Sequence, residues 1–192
     1  MPASDLSFDT VTESVTATVT APMTPGVFDL CVRGTDSQGN VGIPESILFV
    51  VYDPNGGFVT GGGWIDSPAG AYVADAGLVG PRTSDSYQST RKAYRFRWDR
   101  PSFSSTSYQW LVISGARAQY KGSGTINGTG DYGFLLTAID GQISGGGGTD
   151  KFRIKIWDKV SGDIVYDNQI GAPDSATLTS VISGGSIVIH KK

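Results

Sequence analysis

Histidine, cysteine and glutamate are nearly absent from this 192-residue sequence: it has one His, one Cys and two Glu. A Ser-His-Asp hydrolase would have to use His190 as its base, and that residue ends the apolar run Ile187-Val188-Ile189-His190, where an exposed strand-end histidine is expected. Glycosidases usually place two carboxylates across a cleft. Residues 58–192 hold eleven Asp and no Glu, and no acidic pair among them is singled out. The lone Cys31 has no partner for an intrachain disulfide, and its apolar strand setting predicts a buried, inert thiol. Charged residues are only 17% of the sequence, against about a quarter in typical domains, which excludes a coiled coil or a helical bundle. No apolar run approaches the roughly 18 residues of a membrane span. No signal peptide opens the sequence: Met1-Pro2-Ala3 leads straight into a polar strand pattern, as in an excised piece of a longer protein.

Glycine, in contrast, is abundant at 27 residues. Alternation of period two appears at Val15, Ala17 and Val19, again at Val27–Arg33, and a third apolar run covers Ile47–Tyr52. Asp53-Pro54-Asn55-Gly56-Gly57 then reads as a linker-like turn. From Phe58 onward glycine-punctuated strands follow one another at 61–65, 94–98, 108–114, 116–121, 132–139, 152–157, 164–166 and 186–190. Asn127-Gly128, Asp140-Gly141 and Ser161-Gly162 separate them, and Asn-Gly and Asp-Gly are strong hairpin signals. The charge is split. Residues 1–57 carry seven acids and one base, whereas residues 58–192 carry eleven acids and fourteen bases.

Cys31-Val32-Arg33-Gly34-Thr35-Asp36 with Gly39-Asn40 resembles the last hairpin of bacterial Ig-like domains in secreted multidomain proteins. The resemblance implies a second cysteine near position 46, paired with Cys31; this sequence has Ser46 there. Phe58–Ile65 with Ser67-Pro68-Ala69-Gly70, then Asp140-Gly141, Asp150–Asp158 and Tyr166-Asp167-Asn168, resembles the post-COAP-1 module over residues 58–192. That module is a C-terminal β domain of bacterial exported proteins, often preceded by Ig-like or PKD-like repeats. The resemblance implies an extracellular or cell-surface location and carries no assigned activity.

Two kinds of site suit these residue types. Calcium takes six to eight oxygen ligands and accepts backbone carbonyls, which Asp-flanked glycine loops supply. Asp140 and Asp150 bracket the Gly145–Gly148 tract, and Asp158, Asp163 and Asp167 surround the next hairpin, so calcium is the one cofactor the pattern suits. An anionic polysaccharide or other cell-surface polymer would suit a basic face with an aromatic on it. Alternation in 151–158 turns Phe152, Ile154 and Ile156 inward and places Lys151, Arg153, Lys155 and Trp157 outward. Arg95 and Arg97 share a face of another strand and would join that field if the two strands are neighbours. Nucleic acid demands a more basic domain with aromatics set for base stacking, and is not expected.

The sequence therefore predicts an all-β chain. A partial, three-strand Ig-like segment (1–53) and a linker (54–57) precede a jelly-roll-like β sandwich or flattened barrel (58–192). The expected function is that of a non-catalytic structural or adhesive module. A carbohydrate-binding module for anionic polysaccharide and a hydrolase with an unrecognised site are the competing readings. An incomplete sheet must cover its apolar side chains either by docking on the second unit or by pairing with another copy; its open edges favour a homodimer through residues 1–53.

Overall fold

A computed structural model describes residues 14–36, 38–53, 55–67, 85–90, 93–98 and 102–191, the backbone alone for 85–90 and 93–98. These residues form strands and no helix: β1 (Gly26–Val32), β2 (Glu45–Val51), β3 (Phe58–Ile65), β4 (Asp85–Thr90), β5 (Ala93–Trp98), β6 (Ser102–Ser114), β7 (Arg117–Ile126), β8 (Thr129–Ile139), β9 (Lys151–Asp158), β10 (Ile164–Asp167) and β11 (Gly184–His190). β1 and β2 make an antiparallel hairpin, and the other nine form one antiparallel sheet in the order β10-β9-β8-β7-β6-β5-β4-β3-β11. Sequence neighbours are thus sheet neighbours from β3 to β10, and only β11 returns across the fold to pair with β3.

The two end strands of this sheet do not pair, so the barrel stays open and the sheet folds over itself as a sandwich. Val59, Ile65, Ile187 and Ile189 from β3 and β11 share one core with Phe134, Leu136, Phe152, Ile154 and Ile156 from β8 and β9. The pairing of the long β6 with β7 shifts register between Ser105 and Ser107 and between Tyr108 and Trp110, irregularities of the kind that bend and twist a strand. Local sequence fixes the tight ends. Ile126 pairs with Thr129 across Asn127-Gly128, whose φ angles of 53° and 81° are those of a primed hairpin turn, tolerated by Asn and Gly and costly for other residues.

The β1–β2 hairpin lies on the outside of this sandwich. Val27 and Asp29 of β1 sit opposite Val50 and Leu48 of β2 and share its inner face. Asp29 accepts a hydrogen bond from the Ser175 hydroxyl of the sandwich. The outer face carries Phe28, Leu30, Val32, Ile47, Phe49 and Val51, of which Ile47 is 64% exposed.

Two expectations are corrected here. The alternating stretch at 15–19 forms no strand: residues 14–24 are all exposed, and only Val15 makes an isolated bridge. Without a sheet to bury its apolar residues, alternation alone does not hold a strand. Cys31 is exposed rather than buried, with its Sγ 3.0 Å from the Ser46 Oγ directly across the ladder.

Candidate functional site

The outer surface of β7, β8 and β9 is built in cross-strand rows. Gln119, Thr137 and Arg153 form one row, Lys121, Leu135 and Lys155 the next, and Ser123, Gly133 and Trp157 the third. Alternation placed the two faces of β9 correctly, since Phe152, Ile154 and Ile156 are buried in the core. The other face is not open to solvent. The segment after β10 crosses it, and the carbonyls of Ala172 and Pro173 accept hydrogen bonds from Arg153 at 2.8 and 2.7 Å. Arg153 is 4% exposed and pairs side-on with Asp167, Nε to Oδ1 at 3.0 Å and Nη2 to Oδ2 at 2.9 Å. The expected outward, ligand-facing Arg153 is therefore corrected to a buried ion pair that fastens the segment to the sheet.

The basic field divides in the same way. Lys155 is ion-paired to Asp174. Lys151 begins β9, half-buried, where it forms a bridge with Val181. Arg95 and Arg97 lie on β5, which β6, β7 and β8 separate from β9, so the two strands are not neighbours. Their side chains lie outside the described residues. Only Trp157 and Lys155 of the expected set come together, and the structure adds Lys121. The Trp157 ring lies on the Gly133 backbone, where an added Cβ would sit 2.2 Å from ring atoms. The Lys121 and Lys155 ammonium groups stand 5.6 and 5.7 Å from the ring centroid, within range of cation–π attraction. Together with Leu48 of the hairpin they border a pocket of about 220 Å³.

The five aspartates of the calcium pattern are not brought together. Asp150 Oδ1 accepts from the Gly141 N–H and its Oδ2 from the Ile187 N–H, both at 2.7 Å. Asp140 accepts from Gln142 at 3.0 Å and from Ile189 at 2.9 Å. Asp167 is taken by Arg153. Asp158 caps its own turn, and the N–H groups of Ser161 and Val160 hold its carboxyl below the usual carboxylate range. Asp163 is exposed. Among the described residues no three His, Cys, Asp or Glu side chains gather as a metal site. His190 is also occupied: its Nε2 lies 3.1 Å from Thr60 Oγ1 and its ring stacks on Phe58 at 4.3 Å.

A second pocket, of about 260 Å³, lies where the start of the hairpin meets the β6–β7 end of the sandwich. Arg117 borders it; burial, and then the nearby charge of Arg153, lower its guanidinium pKa. Reasoning from the sequence missed both Arg117 and Lys121. The available signal was the polar series Arg117, Gln119, Lys121 at every second position of β7, which marks an outward face in a strand that is otherwise apolar or small. No protein-family model matches the chain, and no curated protein and no solved structure matches it either.

Proposed function

We propose that the chain is a non-catalytic structural and adhesive module of a bacterial exported protein, working outside the cell or at its surface. On this reading the β1–β2 hairpin is the end of an Ig-like domain, and residues 58–192 are a post-COAP-1-like sandwich. The observation that carries it is the use made of the ionisable groups. Arg153, Asp167, Asp140 and Asp150 are all buried and bonded to the fold itself, which suits a rigid scaffold more than a reaction centre. The test is retention of the bead-coupled chain's acidic and neutral polysaccharide partners, with product analysis of every polymer retained. Retention without cleavage supports the reading, and release of shortened products overturns it.

A carbohydrate-binding role is favoured by one specific observation, Trp157 lying on Gly133 with the Lys121 and Lys155 ammonium groups over its ring, beside Leu48 of the hairpin. An indole with cations close by suits a sugar ring bearing a negative group. The homodimer keeps its physical ground in the outer hairpin face. Phe28, Leu30, Val32, Ile47, Phe49 and Val51 form an apolar patch, with Glu45 opposite Val32 at its rim, that a second copy can cover with the same patch under twofold symmetry. Light scattering of the full chain and of Ile47→Asp reads this: a dimer converted to monomer supports it, and a monomeric parent chain removes it.

A further inference from the structure

Every acid at the seam between hairpin and sandwich has a partner. Asp29 is bonded to Ser175, Asp167 to Arg153 and Asp174 to Lys155. Arg117 has none of them. Its Nη1 donates to the Ala176 carbonyl at 3.2 Å, while Nε and Nη2 are buried without any hydrogen-bond partner. A buried donor left unpaired destabilises the fold, and more so when it carries charge. Such groups are rare in folded proteins and call for a specific explanation. The charge of Arg153 nearby adds to the cost rather than relieving it.

Nε and Nη2 are the two donors of the side-on fork, whose spacing matches the two oxygens of a carboxylate. The rest of the pocket supplies hydroxyl chemistry. Ser114, Ser175 and Thr24 border it, and so does Gln119, whose amide NH2 is spent on Thr137 Oγ1 and the Asp174 carbonyl, so that its own carbonyl is left to accept. Val27 and Val112 provide an apolar wall. The volume of about 260 Å³ is below the roughly 300–1,000 Å³ of sites for drug-sized ligands, which limits the occupant to one ring.

We propose that this pocket binds a hydroxylated carboxylate of the uronic acid class, with the Arg117 fork holding its carboxylate and Gln119, Ser114 and Ser175 meeting its hydroxyls. Engaging the fork requires Arg117 to turn it into the pocket, a side-chain change of the kind that commonly accompanies binding. The site is separate from Trp157, on the opposite border of the hairpin, and stands whether or not that pocket takes a sugar.

The experiment is calorimetric titration and thermal melting of the full chain with sodium glucuronate, glucose, inorganic phosphate and N-acetylglutamate. Glucuronate is expected to bind in about the millimolar range typical of one small ring and to raise the melting temperature by mass action. Glucose should bind at least about tenfold more weakly, the equivalent of one lost charge-assisted contact. Arg117→Gln should melt no lower than the parent without ligand, because it removes an uncompensated buried charge, and should lose glucuronate binding. If that variant does not fold, Arg117→Lys, which keeps the charge without the fork, should still bind at least about tenfold more weakly. Absence of glucuronate binding, or unchanged binding by the variants, overturns the site. Equal binding of phosphate or of N-acetylglutamate overturns the assignment to uronic acids.

Discussion

The Asp150 carboxylate accepts the Ile187 backbone N–H at 2.7 Å, so the first turn before β9 is tied to the terminal strand β11. With Asp140 bonded to Ile189 two residues on, the carboxylates take over the ladder bonds that β11 would otherwise lack on the side away from β3. The sandwich is thereby closed by side chains where the backbone ladder stops. Asp150→Asn keeps the shape but replaces one acceptor oxygen with a donor, leaving the Gly141 or the Ile187 N–H unpaired. The expected loss is about 1–3 kcal/mol, or roughly 3–10 °C in melting temperature. The exposed Asp163→Asn should leave melting unchanged.

Breaking the Arg153–Asp167 pair should be more severe. Arg153→Glu sets a second carboxylate against Asp167 in a site that is 4% exposed. The expected loss is at least about 3–5 kcal/mol, that of a buried pair deprived of one member. Urea unfolding of Arg153→Glu beside Lys155→Glu checks it. Lys155 is 21% exposed and partly solvated, so its variant should lose less.

Gly133 and Trp157 should be coupled. Gly133→Ala places a Cβ 2.2 Å from the indole, which forces the ring to move. The expected overpacking cost is about 1–3 kcal/mol. In Trp157→Leu the same substitution should cost clearly less, so the double-mutant cycle should give a coupling energy of about 0.5 kcal/mol or more.

Much of this architecture was legible in the sequence, for physical reasons. Asn127-Gly128 names its own turn because few residues accept both left-handed conformations, and Phe152, Ile154 and Ile156 reveal the core face because a strand has only two faces. What lies over the second face is set by a segment far along the chain, so Arg153 looked like a surface cation. The aspartates near glycine were legible as loop acids. Their true partners, the N–H groups of Ile187 and Ile189, are 37 and 49 residues away, beyond any local pattern.

The register of the hairpin is open to a direct check. Cys31 and Ser46 are cross-strand partners 15 residues apart. Ser46→Cys should form a disulfide with Cys31 that stabilises the hairpin by about 3 kcal/mol, a gain lost on reduction. Two free thiols after mild oxidation would contradict the register.

The central claim is that hairpin and sandwich form one scaffold within a single chain, fastened where Asp29 meets Ser175. The most direct measurement is oxidation of the Asp29→Cys, Ser175→Cys variant on a Cys31→Ser background, followed by intact mass and non-reducing electrophoresis. One hydrogen bond separates the two side chains, so oxidation, or a short bis-maleimide where the two sulfurs do not reach each other, is expected to give an internally crosslinked monomer lacking free thiols. Disulfide-linked dimers, or two thiols that stay reactive, would contradict the docked hairpin.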